Sequence, residues 1–555
     1  MLHSKGNLLS IHVGQRNSKT ERIDSVLKSF IGGRGVATKL AHDRVPFQAE
    51  PLNAENRLYF TTGPMQTSRM SFTGRTNVTA VSPLTDGLVS SNAGGFMSRH
   101  LADTGYGAVE FVGESDELII VHVTDEGVEV EPVSNLASAK VPRVTEHIKE
   151  TRGLDREHIA AIGPAGESLV RFASIMTTES RAFGRGGLGA VLGSKNIKAV
   201  TFDGDSRREV DIGPIQEDVH REAAQSDNIM KRQGTTSVTD LANEVKGLPT
   251  RYWSEQQFEA VKGINGDAVE AKKFKKGTCS QCAFACKLPT KDEQRGIETE
   301  GPEFETVMAF GSNCGINDVV DVMQSNELCD TLGMDTISCG NTVAAYLASK
   351  SEFGNIDLIH ETVKKIARRE GIGDVLADGI ARCHEDLGVD NWTVKGLDFA
   401  GHEGRTLHGQ GLAYAVANRG ADHMYSTFYA WEYPLVDKEE SFPREGIEDK
   451  AEAIVEQENR RALEDCGVIC RFSRGMMTDK RLEKLFKEDI EELLGVGAQV
   501  VELERHFNNQ RGFDREDDTL PYADQIPGFE RGLDEYYGIR GWTKEGRVPA
   551  DEVSS

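Results

Sequence analysis

The rhythm of apolar and polar positions changes near residue 205. Before it, short apolar runs alternate with glycine-rich breaks. LIIVHV (118–123) and VEVEPV (128–133) flank TDEG and read as a hairpin. Glycines gather at Gly32, Gly33 and Gly35, at Gly94 and Gly95, at Gly163 and Gly166, and at Gly184, Gly186, Gly187 and Gly189. Such groups mark positive-φ turns or close backbone approach. Helical spacing shows in GVATKLAHD (35–43). The segment DGDSRREVDIGP (203–214) is polar and reads as a linker. Beyond it, helical spacing and good helix formers run over 216–248, 318–332, 336–349, 357–370, 450–465 and 479–505. Residues 433–450, with Pro434 and Pro443, read as an exposed loop, and the chain from about 510 as an acidic, loop-rich tail. No internal repeat or low-complexity tract stands out. The pattern predicts a β-rich N-terminal part followed by a mainly helical remainder.

Composition narrows the function. The 555 residues suggest roughly three or four domains. The net charge of −25 repels nucleic acid and anionic membranes, and no basic cluster offsets it. No apolar run reaches the ~18 residues of a membrane span. The N-terminus has no signal-peptide core of useful length, so a cytoplasmic protein is expected. Nine cysteines are too few for a disulfide scaffold of this length. Their odd count and the bunching of three point to ligation.

Those three stand in GTCSQCAFAC (277–286), as Cys279, Cys282 and Cys286 with C-x2-C-x3-C spacing. Three thiolates on one loop suit three corners of a cubane iron–sulfur cluster, with a fourth ligand from elsewhere. Zinc also takes thiolates, but its usual second pair is missing nearby. Three buried core cysteines are the plainest alternative. Cys314, Cys329, Cys339, Cys383, Cys466 and Cys470 all qualify as the fourth ligand, and spacing does not choose among them.

Two turns carry aspartates. After the helix over 318–332, Gly333 suits a left-handed exit and Asp335 an N-cap for the next helix. Asp330 and Asp335 then flank one tight turn. The plain reading is capping by Asp335 and a solvated Asp330. ENRRALEDCGVICRF (458–472) has a similar shape around Asp465 and Cys470. Two like turns suit the two halves of a symmetric ligand.

With these residues in view, the chain resembles the tungsten-containing aldehyde ferredoxin oxidoreductase family from about Gly32 to Phe472. The resemblance is carried by GGRGVATKL, TGP, SFTGRTNVTAVSPLT, SNAGGF, AAIGPAGESLVRFASIM, RAFGRGGLGAVLGSKNIKAV, CSQCAFAC, GPEFET, GSNCGIND, ELCDTLGMDTIS, ANRGADH and DCGVICRF, in that order. It implies an α+β fold: a β-rich N-terminal pterin-binding domain (1–207) and two mainly helical domains (208–410 and 411–555). It implies two pyranopterins holding one tungsten or molybdenum with no protein ligand to that metal, a Mg2+ between the pterin phosphates, and one [4Fe–4S] cluster.

Residue by residue, the family's cluster ligands match Cys279, Cys282, Cys286 and Cys470. Its pterin motif, D-x-x-G-L-(C/D)-x, matches Asp330 to Thr336, with Met334 in the Leu place and Asp335 in the next. It matches Asp465 to Arg471 less well, because Val468 replaces Gly and Ile469 replaces Leu, so that turn is expected to differ. Arg75, Asn92, Gly94, Arg181, Ala182, Gly184 and Arg185 match cofactor-contacting positions, where arginine's planar fork reads phosphate and pterin edges.

The acid/base positions match Glu305 and His423. Glu303 competes with Glu305, since both would share a face if the segment is extended. The implied reaction oxidises an aldehyde to the acid and passes electrons singly to a ferredoxin. No dinucleotide-binding fingerprint points to another carrier. GRGGLG (184–189) fits the pterin segment better. C-x2-C-x3-C also serves dimethyl-sulfoxide-reductase-type enzymes, but near the N-terminus rather than at 279.

Two departures stand out. Gln324 holds the place of a Glu that bridges iron between subunits in one member, which removes the basis for that dimer and leaves monomer or homodimer open. Tyr425 replaces a Lys two residues after the active-site His. The alternatives are a same-fold enzyme reducing acids, thioesters or another acceptor, and a non-catalytic iron–sulfur protein.

Overall fold

The computed structural model describes residues 1–206, 209–435 and 441–549. The 207/208 boundary, part of the expected loop at 436–440 and the end of the tail lie outside the described residues.

Two six-stranded sheets build the N-terminal part. The first contains β1 (Asn7–His12), β2 (Asn17–Arg22), β3 (Leu58–Thr61), β4 (Arg75–Val81), β5 (Leu88–Gly94) and β6 (Ala108–Val112), in the order β2-β1-β6-β3-β4-β5. The second contains β7 (Ile119–Val123), β8 (Val128–Pro132), β9 (Ile159–Ala161), β10 (Ile175–Thr177), β11 (Arg181–Phe183) and β12 (Ile197–Phe202), in the order β8-β7-β12-β9-β10-β11. The two orders are the same topology. Each has one parallel pair, β1 with β6 and β7 with β12, among antiparallel neighbours. The fold thus repeats where the sequence showed no repeat. Strand order recurs while side chains diverge. The expected hairpin is β7–β8, paired from Ile119 with Pro132 to Val123 with Val128.

Strand alternation gives each sheet two faces. Leu9, Ile11, Phe60 and Val78 of the first sheet pack against Ile119, Val121, Phe183 and Val200 of the second. The outer face of the second sheet, with Ile120, Ile159 and Ala199, is covered by the helix Val141–Arg152 through Val144 and Ile148. The outer face of the first sheet, with Leu8 and Tyr59, joins the main core with the helices Gly33–Arg44 and Ile490–Gln510.

The remainder is mainly helical. Helices Val319–Leu332, Thr336–Lys350, Ile356–Arg368 and Lys450–Gly467 occupy their expected windows. The window 216–248 does not hold one helix. It breaks into Pro214–Gln225, Met230–Gln233, a 3-10 turn and Thr239–Glu244. Asn228 Oδ1 accepts from Met230 N at 3.0 Å, and Gly234 takes φ +56°. These local alternatives outcompete helix continuation. The window 479–505 splits at Lys487, φ +58°, into Asp479–Phe486 and Ile490–Gln510. The tail holds a further helix, Phe529–Arg540, whose Phe529, Leu533, Tyr536, Tyr537 and Arg540 are buried. The loop before Lys450 is exposed at Pro443 but buries Ile447.

One Gly-Pro loop from each sheet meets each aspartate turn. A Cβ on Gly63 would lie 2.3 Å from the Gly467 carbonyl oxygen, and one on Gly163 would lie 2.2 Å from that of Leu332. Only glycine permits those approaches.

Candidate active site

The two aspartate turns and the two sheets close around one cleft of about 310 Å³. The β4–β5 hairpin supplies Arg75, Asn92 and Gly94. The β10–β11 region supplies Arg181, Ala182, Gly184 and Arg185. The turns supply Asp330, Met334, Asp335, Asp465, Ile469 and Arg471, and Glu303 and Glu305 complete the rim.

The first turn leaves its helix through Gly333, φ +78°. Asp335 caps the next helix, accepting from Ile337 N and Ser338 N at 3.2 Å each. It also faces Arg185 Nε at 3.3 Å. Capping and cleft lining are therefore combined in one carboxylate. Asp330 accepts from Asn326 Nδ2 at 3.0 Å, and burial pushes its carboxyl up to about 8 against the pull of Arg181. Asp330 is half-buried on the cleft wall, so it is not the freely solvated residue of the plain reading.

The second turn keeps the shape of the first. Val468 takes φ +53°, the place of Gly333, so the altered residues do not alter the turn. A β-branched residue is rare there and is held only by dense surroundings. Asp465 accepts from Asn92 Nδ2 at 2.7 Å, Arg471 Nη2 at 2.8 Å and Arg34 Nη1 at 3.2 Å. Despite the cost of burial, Arg471 and Arg34 hold this carboxyl below its usual range. Arg34 also clamps Glu504 through two 2.7 Å bonds, and its guanidinium lies 4.6 Å over the Tyr425 ring. Tyr425 donates to Glu504 Oε2 at 2.8 Å. The Lys-to-Tyr departure thus belongs to a buried network, while Met424 lines the cleft beside it.

The cysteines converge beside the cleft. A Cβ on Gly94 would sit 3.0 Å from Cys279 Sγ, and Arg75 Nη1 lies 3.9 Å from Cys470 Sγ. Burial pushes the Cys282 thiol up to about 11 and that of Cys286 well above the usual range, with Cys470 and Cys279 adding to both. Such crowded thiols ionise readily only around a cation. Cys466 lies apart, its Sγ against Gly35.

Glu305 stands between two imidazoles. Its Oε2 accepts from Gly401 N at 2.6 Å. Its Oε1 has no hydrogen bond and lies 3.5 Å from Nε2 of both His402 and His423. Among the described residues, these are the three ligand-type side chains whose donor atoms all fall within 4.8 Å of one another. The four sulfurs are therefore spread wider than one zinc, with Zn–S of about 2.3 Å, would hold them. Both histidine Nδ1 atoms are buried without partners, unlike metal-bound histidines, whose second nitrogen is normally anchored. The trio suits proton handling. Glu303 does not share its face. Residues 304–306 are helical, and Glu303 accepts from Thr235 Oγ1 at 2.5 Å near Arg181.

Sequence reasoning missed His402, Arg419 and Asp422. Arg419 and Asp422 line the cleft from within ANRGADH itself. Against the cost of burial, Arg419 and His423 hold Asp422 at about 2. His402 is sealed against Tyr429, ring centroids 3.7 Å apart and nearly parallel, and had no motif to flag it.

Matches to family models cover almost the whole chain. Residues 8–204 match the aldehyde ferredoxin oxidoreductase N-terminal domain, and residues 214–555 match domains 2 and 3 of the same family. The chain belongs to the aldehyde ferredoxin oxidoreductase family. It is 32% identical to the tungsten-containing aldehyde ferredoxin oxidoreductases of Pyrococcus furiosus and Thermococcus kodakarensis, over 99% of this chain and 98% of each relative. It is 26% identical to the aliphatic sulfonate oxidoreductase WOR-like subunit of P. furiosus, over 99% of this chain and 96% of that one. The active-site complex BamBC of benzoyl coenzyme A reductase shares the fold, with a TM-score of 0.84 at 21% identity over 99% of this chain and 96% of that one. Membership makes this an oxidoreductase with a family tungsten–pterin site and a β-rich domain followed by helical ones. No described helix is long and apolar enough to cross a membrane.

Burial pushes the His402 imidazole well below its ordinary 6.5, helped by His423 and Arg474. The unfolded chain therefore protonates this residue first as pH falls. Above about 6.5 both states are neutral and the term vanishes; below it, folding stability is lost progressively, by up to about 1.4 kcal/mol per pH unit. Between pH 7.5 and 5.5 the thermal midpoint of the wild type is expected to fall further than that of His402→Phe. Parallel slopes in a thermal-shift series would contradict this.

Proposed function

We propose that this protein oxidises a small aldehyde to its carboxylic acid, with electrons leaving singly to a ferredoxin. The observation that carries the reading is Glu305 Oε1, buried without a hydrogen bond between two imidazole Nε2 atoms at the mouth of the family's pterin cleft.

The residues fit the groups the family uses. Arg181 Nε and Arg185 Nη1 are buried without hydrogen-bond partners at the cleft, as donors awaiting an anionic ligand would be. Asp330, Asp335, Asp465 and Arg471 would hold pterin edges on the two like turns, with Arg75, Asn92, Arg181 and Arg185 on the sheet side. Gly94, Ala182 and Gly184 keep that side low. Met334 and Ile469 would pack against the rings. A Mg2+ would accompany the pterins as a counter-charge to their phosphates. Cys279, Cys282, Cys286 and Cys470 would ligate a [4Fe–4S] cluster. When bound, these groups supply two-electron acceptance at tungsten or molybdenum and single-electron exit through the cluster.

The chain's own residues manage protons. Oxidation of RCHO with water to RCOOH releases two protons and two electrons. Glu305 takes a proton from the attacking water at Oε1, while Gly401 N–H fixes the carboxylate through Oε2. His423 Nε2, on the same oxygen, donates to the carbonyl and relays protons outward. His402 stays neutral and holds Glu305 from behind.

Metal analysis of anaerobically purified protein tests this first. About one tungsten or molybdenum and about four irons per chain are expected, with aldehyde-dependent reduction of benzyl viologen. Iron without tungsten or molybdenum would favour a non-catalytic cluster protein. Reduction of acids or thioesters without aldehyde oxidation would favour the reductase reading, which the sulfonate and benzoyl coenzyme A relatives keep in view. Cys282→Ser is expected to remove most iron and visible absorbance; unchanged iron would refute the ligand assignment.

A further inference from the structure

The overall charge of −25 conceals a local reversal. Lys272, Lys273, Phe274, Lys275 and Lys276 run without a break and end three residues before Cys279. The expectation that no basic cluster offsets the acidic field fails at this one place. We propose that the rim formed by Phe274, Lys275 and Lys276 is the docking surface for an acidic one-electron carrier protein. The proposal rests on the oxidoreductase reading above, in which electrons leave singly.

The segment's backbone is fixed. Lys273 bridges Thr290, Gly277 bridges Lys287, and Phe274 N donates to Pro289 O at 3.2 Å. It is therefore tied to the strand that follows Cys286. Two of its lysines are engaged: Lys272 pairs with Asp292 at 2.7 Å, and Lys273 Nζ donates to Lys231 O at 2.9 Å and to Arg232 O at 3.3 Å. Lys275 and Lys276 are exposed, and among the described residues neither has a carboxylate within 4.0 Å. Their charge is free to act on a partner.

Phe274 adds an anchor. It is 44% exposed, and Lys275 Nζ lies 4.9 Å from its ring centroid. A rigid aromatic flanked by cations is the composition that carries interface energy. The rim continues into the cysteine loop through exposed Thr278 and Gln281, and the cysteines themselves are partly exposed. Lys276 is three residues from Cys279, so at most about 11 Å of chain separates them. A partner seated here lies beside the sulfurs.

Charge selects the orientation. An acidic carrier is repelled by most of this surface and attracted within roughly 8–10 Å of the rim at moderate salt. Like-charge repulsion elsewhere suppresses wrong encounters.

The test uses the purified holoenzyme, acetaldehyde, a recombinant acidic [2Fe–2S] ferredoxin and the small dye benzyl viologen. K275E/K276E is expected to raise the KM for ferredoxin about tenfold, with dye-linked turnover within about twofold of wild type. Raising salt from about 50 to 500 mM should raise the wild-type KM and lower the variant's, as screening removes attraction in the first and repulsion in the second. Phe274→Ser should weaken ferredoxin coupling at both salt concentrations. A ferredoxin KM unchanged in K275E/K276E, with dye turnover intact, overturns the docking surface. If wild type reduces neither acceptor, the aldehyde reading has failed; the docking surface is then judged by calorimetric binding of the oxidised ferredoxin, where K275E/K276E must weaken the Kd about tenfold or the proposal falls.

Discussion

Glu305→Gln is expected to lower aldehyde-dependent dye reduction by about 10²- to 10⁴-fold, the usual loss when a positioned acid/base group is removed. The amide is nearly isosteric and keeps an oxygen for the Gly401 N–H bond of 2.6 Å. What it loses is a second oxygen able to take a proton, the atom 3.5 Å from both histidines. Tungsten and iron contents should match wild type, because the polar contacts of this side chain are with Gly401, His402 and His423 and not with the aspartates or cysteines of the turns. The KM for aldehyde should move little compared with kcat. Retention of more than about a tenth of the wild-type rate would remove Glu305 from the acid/base role. In that event Glu303→Gln becomes the decisive comparison, since Glu303 lines the same cleft from its other side.

Arg34→Ala is expected to be the most damaging substitution for stability. Arg34 is fully buried and bonds two carboxylates from two packed helices, Asp465 of Lys450–Gly467 and Glu504 of Ile490–Gln510. Deleting it strands buried negative charge, which costs about 3–5 kcal/mol. The loss also reaches the cleft, because Asp465 then keeps only Arg471 and Asn92. A sharp drop in thermal midpoint and in soluble yield should follow. Pairing Arg34→Met with Glu504→Gln should recover part of the loss, since no unpaired Glu504 charge remains. A midpoint near that of wild type for Arg34→Ala alone would show that water reaches and screens the network.

Much of this was legible in the sequence where structure is local. Helix Val319–Leu332, the Gly333 exit and the Asp335 cap follow from spacing and capping chemistry. The hairpin β7–β8 follows from alternation around TDEG. Other features rest on contacts between remote segments. Glu305, His402 and His423 come from three stretches of chain, and AGHEG carries no periodic signal around His402. Val468 argued for a different turn, yet Gly33 packs so tightly on that turn that the left-handed backbone is retained; a Cβ on Gly33 would lie 2.1 Å from Asp465 O. The repeated topology of the two sheets lies in backbone order, and residue identity preserved little of it beyond TGP (62–64) and IGP (162–164).

The scatter of the site along the chain has a consequence for synthesis. Cys470 follows Cys286 by 184 residues, so at 5–20 residues per second a nascent chain carries three of the four cysteines proposed as cluster ligands for roughly 10–40 s before the fourth is translated. Glu504, which anchors Arg34 behind the second turn, emerges later still. The N-terminal sheets can pair while the ribosome is still working, but the cage they face cannot close. The proposed prosthetic groups would therefore meet a complete cage only after Glu504 has emerged, and a truncated product lacking residues beyond 469 would present a half-built, oxidisable thiol loop.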